Sequence, residues 1–481
     1  MAGRRIVILG AGPAGTAAAA AARRTDPRTH VVMIEREAVA GALITQVPDA
    51  LVEERGHAAL RDVDGSRPDL LSVPPAAYWE EQGIVLRTGH HAVDLDPVRR
   101  EVRVRDPAGE LYAEPYDAVV VATGSSPSVP DVPGVDLEGV FALRRPVDAV
   151  PLEAHLAKEG VRRAVIVGAG IPGLALAEAL LRRGLEVAVV EKAGRTLLGF
   201  RPLLAARIER ALERHGGRLL CDQALERIER AGASLRVGTR SETLDTDVVV
   251  LATGARPDVE LAARAGTDLG LSGAIRVEET QHAGIPDVYA AGECAETFHP
   301  LLRRAVYLPH PVAAFRQGLV AGANAAGGAK TYRGTVGTRS LRFFDLAIAR
   351  TGLGSFDLAD EGLAVFEATW RRPRELRAPD VELISLVVQK ESGQLLGAEM
   401  LGTSAVLHRI DVMATAVYAR LDVDAVAGLD LALAPPYSES EDPIRLAAEQ
   451  AFEDLERSLG RGEIVDTGAR PRRSGSFDVE V

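Results

Sequence analysis

Apolar runs that stop at glycine mark the first two thirds of the chain, and stretches with helical character follow them. Residues 4–9 read as a strand whose apolar run, Ile6 to Leu9, is closed by Gly10; Ala14 to Arg24 reads as the helix behind it, and Val31 to Ile34, ending at Glu35, as the next strand. Continuous apolar runs of this length are the signature of strands buried on both faces of a parallel sheet. The pattern therefore predicts strand, helix, strand. It recurs in Val165 to Val167, Leu174 to Arg183 and Val187 to Val190, ending at Glu191. Two further runs, Ala118 to Val121 and Val248 to Leu251, both end in Ala-Thr-Gly (Ala122-Thr123-Gly124 and Ala252-Thr253-Gly254). The repetition predicts two domains of like construction, each with a strand returning to the same sheet edge. Pro127, Pro130, Pro133 and Pro257 mark turns or crossings after those strands. A linker is expected near residues 145–160.

From about residue 335 the pattern changes. Arg342 to Ala349, Leu363 to Thr369 and Glu382 to Gln389 read as strands of a mixed or antiparallel sheet, and Arg409 to Arg420 and Asp442 to Leu459 as helices. Gly460 to Val481, rich in glycine, arginine and serine, reads as a mobile tail.

Composition narrows the reading little. A chain of 481 residues is long for one core. Its formal charge of -12 argues against general nucleic-acid binding. Two cysteines, Cys221 and Cys294, cannot build a disulfide framework, so a reducing, cytoplasmic setting is expected. Arg4-Arg5 before an alanine-rich stretch resembles a secretory signal, but the glycines interrupt it and no convincing cleavage site follows. The nearly apolar Ala164 to Leu181 holds glycines, Pro172 and Glu178, which suit a strand-turn-helix better than a membrane span.

The glycines carry the chemistry. Gly10-Ala11-Gly12-Pro13-Ala14-Gly15 and Gly168-Ala169-Gly170-Ile171-Pro172-Gly173 are two copies of the dinucleotide fingerprint. The first glycine permits a tight turn, the second lets backbone approach a pyrophosphate, and the third lets helix and strand pack closely. Glu35 and Glu191 follow the third glycines by 20 and 18 positions, the spacing that reaches a ribose 2′-OH.

In this order the motifs resemble the FAD- and NAD(P)-dependent pyridine nucleotide-disulfide oxidoreductases, nearest the branch of NADH oxidases, NADH peroxidases and coenzyme A-disulfide reductases. The resemblance also rests on Ile285 to Glu296 (IPDVYAAGECAE), similar to the family's second flavin motif. Leu429 to Ser438 with Asp442-Pro443 is similar to the branch's C-terminal signature. It implies an α/β fold of two doubly wound Rossmann-like domains and a C-terminal α+β dimerisation domain. The expected divisions are an FAD domain in two parts (1–150 and 276–334), an NAD(P) domain (151–275), a dimerisation domain (335–460) and a tail (461–481). A homodimer, with no nucleic-acid or membrane partner, is implied too.

The resemblance assigns FAD to the first fingerprint: Gly10, Gly12, Pro13, Ala14 and Gly15, with Glu35, Arg36, Val93, Ala122, Thr123, Gly124, Gly292 and Glu293. Glu293 stands where the family usually has Asp, and is expected to face the ribityl chain. NADH or NADPH falls to Gly168, Gly170, Ile171, Pro172, Gly173, Glu191 and Gly254. Glu191 favours NADH, although Lys192 and Arg195 lie nearby. The family usually places Glu two residues after the third glycine of this copy; here it is Ala175.

In this branch a redox cysteine lies three positions before a proline. The matching segment is Thr45-Gln46-Val47-Pro48, and no cysteine occurs before position 221. A threonine hydroxyl can cap a helix or bind a ligand but cannot form a sulfenic acid or a disulfide. Pro13 stands near the position of the peroxidase histidine. Thr45, Gln46 and Tyr437 are thus the candidates at the acceptor site, Tyr437 contributed across a dimer; His408 and His57 are weaker ones. Three functions remain open: an NADH-dependent flavoenzyme reducing oxygen or a small organic acceptor; a flavoenzyme acting directly on a small substrate beside a silent NAD domain; and a non-enzymatic flavin sensor.

Overall fold

The computed structural model describes residues 3–38, 40–41, 47–52, 76–358, 363–373, 380–432 and 441–460. Thr45, Gln46, His57, Tyr437 and the 461–481 tail lie outside them.

The first apolar runs become a five-stranded, all-parallel sheet. Its order is Val288–Ala290, Ala118–Val121, Arg5–Leu9, His30–Glu35, Ile84–Thr88. Because alternate side chains leave a strand on opposite faces, Ile6 and Ile8 enter one core with Ala18 and Ala22 of the Pro13–Thr25 helix. Val7 and Leu9 enter another with Val102 and Ala283. Burial on both faces is why the strand reads as an unbroken apolar run.

The Pro311–Ala325 helix lies against the Pro13–Thr25 helix. A Cβ at Gly318 would stand 2.1 Å from the Ala14 carbonyl oxygen, and one at Gly322 2.0 Å from that of Ala18. Two glycines one turn apart, facing alanines, let the two backbones touch.

The second sheet repeats the first: Arg218–Leu220, Glu186–Val190, Arg163–Val167, Val248–Leu251, Val140–Ala142, all parallel. It reaches back to Val140, ahead of the expected linker, and Ala149, Leu152 and Leu156 of the Ala149–Leu156 helix join its core. Each sheet carries a three-stranded antiparallel insert, His91–Asp96 to Leu111–Pro115 and Leu225–Ala231 to Thr243–Thr246. The strands ending in Ala-Thr-Gly continue into Ser125–Pro127 and Ala255–Pro257, which pair antiparallel where the chain crosses between domains.

The C-terminal sheet is antiparallel, in the order Arg339–Phe343, Leu346–Gly352, Leu395–Gly402, Val381–Gln389, Val365–Arg371. Alternation again divides its residues. Ala347 and Ala349 face the Val406–Tyr418 and Pro443–Ser458 helices, whereas Leu346 and Ile348 pack against Ala205 and Ile208 of the second nucleotide domain. The expected single strand over Arg342 to Ala349 is instead a hairpin, Leu341 opposite Ile348 and Phe343 opposite Leu346. Its two-residue turn, Phe344-Asp345, carries no glycine to announce it. Phe344 takes a φ of 53° and stacks on His215, ring centroids 3.6 Å apart. A tertiary contact holds what sequence alone disfavours.

Candidate active site

The six fingerprint glycines divide by what a side chain would strike. Gly10 has a φ of +104°, and a Cβ there would lie 2.3 Å from the Ala122 carbonyl oxygen. The Ala122 amide in turn donates to the Leu9 carbonyl at 2.9 Å. The Ala-Thr-Gly strand therefore presses on the fingerprint turn and requires its first glycine. A Cβ at Gly15 would lie 1.9 Å from the Gly10 carbonyl oxygen, so the third glycine sets the helix against the turn. A Cβ at Gly12 would meet nothing within 4 Å, and its φ of -75° is open to any residue. Among the described residues nothing requires that glycine. The space it leaves lies at the N-terminus of a 13-residue helix, where amides and the helix dipole favour an anion.

The second copy repeats the division. Cβ atoms at Gly168 and Gly173 would lie 2.4 Å from the Ala252 and 2.0 Å from the Gly168 carbonyl oxygens, while at Gly170 the nearest atom is Pro172 Cδ at 3.8 Å. Ile171 and Pro172 open the Ile171–Arg182 helix, and Ala175, within it, packs against the domain core.

Both acidic strand ends are held alike. Glu35 accepts from the Ala11 amide at 2.6 Å and the Glu37 amide at 2.9 Å; Glu191 accepts from Ala169 at 2.8 Å and Ala193 at 2.9 Å. One oxygen anchors the fingerprint turn and the other the following loop, which fixes each carboxylate beside its helix N-terminus. Burial pushes the Glu35 carboxyl above its usual range, opposed by the two amides. Of the neighbouring cations, Arg195 is spent on the carbonyls of Thr196, Leu197 and Leu198, and Lys192 is exposed.

A cleft of about 630 Å³ opens over the first fingerprint. Every residue expected to hold the first nucleotide lines it except Gly15, which lies beneath the helix. Gly254 and the second fingerprint lie apart from it. One group of lining residues is organised around Glu293. Ser125 Oγ donates to Glu293 at 2.6 Å, Arg144 Nε donates to Ser125 Oγ at 2.7 Å, and the Arg144 guanidinium pairs with the Glu293 carboxylate. In a second group, Arg36 pairs with Asp258 at 3.2 Å, and Arg145 with Glu37 and Asp148. Sequence reasoning missed Ser125, Arg144, Arg145 and Asp258. Arg145 opens the stretch read as a linker, Arg144 directly precedes it, and no spacing marks either.

The described residues suit a flavin nucleotide. The Gly12 gap faces a helix N-terminus, and Glu35 flanks it with lone pairs remaining for hydroxyl donors. The Tyr307 hydroxyl, close enough to Glu293 to feel its charge, is buried without a hydrogen-bond partner among the described residues. Burial pushes that phenol up to about 12.

Neither cysteine lines the cleft. Cys294 is fully buried, its Sγ directed at the carbonyls of Val121 and Ala291, and burial pushes its thiol up. Cys221 follows the Arg218–Leu220 strand; burial, aided by Glu209, Glu191 and Asp222, raises it to about 11. His408 is exposed on the Val406–Tyr418 helix and does not line the cleft. No described helix is long and apolar enough to cross a membrane.

Residues 4–318 match the family described as Pyridine nucleotide-disulphide oxidoreductase, and residues 338–442 match that family's dimerisation domain. The chain is 30% identical to an NADH oxidase of Methanocaldococcus jannaschii, over 94% of this chain and 99% of that protein. It is 33% identical to a CoA-dependent NAD(P)H sulfur oxidoreductase of Pyrococcus abyssi, over 92% and 97%. Among solved structures, an NAD-dependent persulfide reductase from A. fulgidus is similar, with a TM-score of 0.86 and 30% identity, covering 95% of this chain and 84% of that one. With both of its nucleotide folds and its C-terminal sheet accounted for, the chain belongs to the pyridine nucleotide-disulphide oxidoreductase family, as an FAD-dependent enzyme working with a pyridine nucleotide.

Proposed function

We propose that the protein takes electrons from NADH into FAD and delivers them to an acceptor other than a disulfide, oxygen or a small organic molecule, as a cytoplasmic homodimer. The observation that carries this reading is the state of the thiols. The whole sequence holds two cysteines, both outside the cleft and both held protonated by burial. A disulfide is reduced through a thiolate. FAD, when bound, supplies two-electron uptake from a reduced nicotinamide and release in one- or two-electron steps.

The chain's own residues bind and orient. The Gly12 gap and the helix amides receive the pyrophosphate, Glu35 the adenosine ribose, and Glu293, fixed by Arg144 and Ser125, the ribityl hydroxyls. At the second fingerprint Glu191 accepts from a ribose 2′-OH and repels a 2′-phosphate. At 4 Å near a surface that repulsion is roughly 4 kcal/mol per unit of charge. Among the described residues, Arg195 is committed to backbone carbonyls and Lys192 is exposed. Thr45 and Gln46, with Tyr437 of a second copy, complete the acceptor site; the match to the dimerisation domain supports the dimer. The relatives named NADH oxidases support oxygen as an acceptor.

Ala175 favours a second reading. The family's carboxylate two residues past the third glycine is a methyl here, which would suit a flavoenzyme reduced directly by its substrate. One experiment separates the two. The FAD-loaded protein is mixed anaerobically with NADH, and separately with NADPH, while the flavin absorbance is followed. Rapid bleaching by NADH supports the first reading; no bleaching by either sinks it. Reoxidation is then compared with oxygen and with coenzyme A disulfide, and fast reoxidation by the disulfide would contradict the assignment of acceptor class.

A further inference from the structure

A second cavity, of about 600 Å³, lies between the Pro202–Arg214 helix of the second nucleotide domain and the C-terminal sheet. It shares no lining residue with the cleft over the first fingerprint. Arg207 and Arg210, three residues apart, project from one face of that helix. Opposite them, Arg371 ends the Val365–Arg371 strand, and the Arg372 amide is fixed to the Glu382 carbonyl at 3.0 Å. Arg207 pairs with Glu382 at 2.6 Å. Among the described residues, Arg210 and Arg371 form no ion pair and no side-chain hydrogen bond. Among the described residues the lining carries four guanidinium groups and one carboxylate, and Arg210 and Arg371 stand in it as two unpaired positive charges in a chain of net -12.

We propose that this cavity binds a compact polyanion of the di- or triphosphate class. The excess charge matches such a group, and a planar guanidinium engages phosphate oxygens through paired hydrogen bonds. Leu203, Leu383 and Leu401 supply an apolar wall for an organic group carried by the phosphates. Two of the arginines belong to the nucleotide domain and two to the C-terminal domain, so one anion would tie the domains together at their seam.

The test uses the FAD-loaded protein saturated with NAD+, so that both fingerprints are filled. Inorganic tripolyphosphate is titrated calorimetrically at fixed ionic strength, with sulfate for comparison. One site per chain is expected, binding tripolyphosphate more tightly than sulfate. Removing a charge-assisted contact costs about tenfold in affinity, so Arg210→Ala with Arg371→Ala should weaken binding about a hundredfold. Arg210→Lys with Arg371→Lys, which keeps the charge, should stay within about tenfold of the parent. Flavin reduction by NADH should be unchanged in both. Tripolyphosphate binding no tighter than sulfate, or equal affinity in the alanine variant, would overturn the proposal. Should the alanine pair not fold, single Arg210→Gln and Arg371→Gln variants decide it by the same tenfold criterion.

Discussion

Gly12→Ala and Gly15→Ala each add one methyl to the same fingerprint, and the structure predicts opposite failures. At Gly12 the new Cβ meets nothing within 4 Å, and the backbone is already in a region open to alanine. The entropy gained from stiffening the unfolded chain, about 0.4–1 kcal/mol, is offset by alanine's poorer performance as a helix cap. The stability of the apoprotein should change by less than about 1 kcal/mol. Its FAD affinity should fall sharply, because the methyl occupies the space through which phosphate oxygens reach the helix amides. Loss of one such charge-assisted contact, about 1.5–3 kcal/mol, is roughly 10- to 150-fold in Kd. At Gly15 the helix gains up to about 1 kcal/mol of propensity. The Cβ, however, would stand 1.9 Å from the Gly10 carbonyl oxygen, a backbone atom with nowhere to go. Overpacking of this kind costs about 1–3 kcal/mol or more, so the apoprotein itself should be destabilised. Urea unfolding of the two apoproteins, with flavin titration of each, measures both quantities. A Gly12→Ala protein that binds FAD with parental affinity would refute the assignment of that gap to the pyrophosphate.

Gly170→Ala should leave flavin content intact while raising the KM for NADH, readable by steady-state kinetics, since its Cβ has only Pro172 Cδ nearby at 3.8 Å. Glu191→Ala should narrow the preference for NADH over NADPH by about tenfold or more in kcat/KM, by removing the carboxylate that opposes a 2′-phosphate. A Cys221→Ser, Cys294→Ala protein should be bleached by NADH at the parental rate, and a slower rate would give a thiol a role. His299, pushed down to about 4 chiefly by burial, is neutral in the folded protein. Its contribution is complete above pH 6.5 and is lost as pH falls toward 4. A His299→Gln variant should show a flatter dependence of stability on pH over that window, measured by urea unfolding.

The sequence by itself determined the two nucleotide folds. Continuous apolar strands, six glycines at fixed spacing and an acidic residue at each following strand end are local demands of one turn geometry, and such demands are written in adjacent residues. It also determined that no cysteine stands ahead of position 221, which limits the chemistry whatever the fold. Tertiary structure decided what depends on residues far apart in the chain. The clash that requires Gly10 comes from Ala122, so the fingerprint and the Ala-Thr-Gly strand are one device, although 112 positions separate those two residues. The setting of Glu293 comes from Arg144 and Ser125, which no spacing links to it. Phe344 turns a hairpin because His215 of another domain lies beneath its ring, and the arginine-lined seam exists only because two domains meet there. Sequence records constraints that a residue places on its neighbours; the placement of a charge beside its partner, or beside none, is settled only when the distant segments pack.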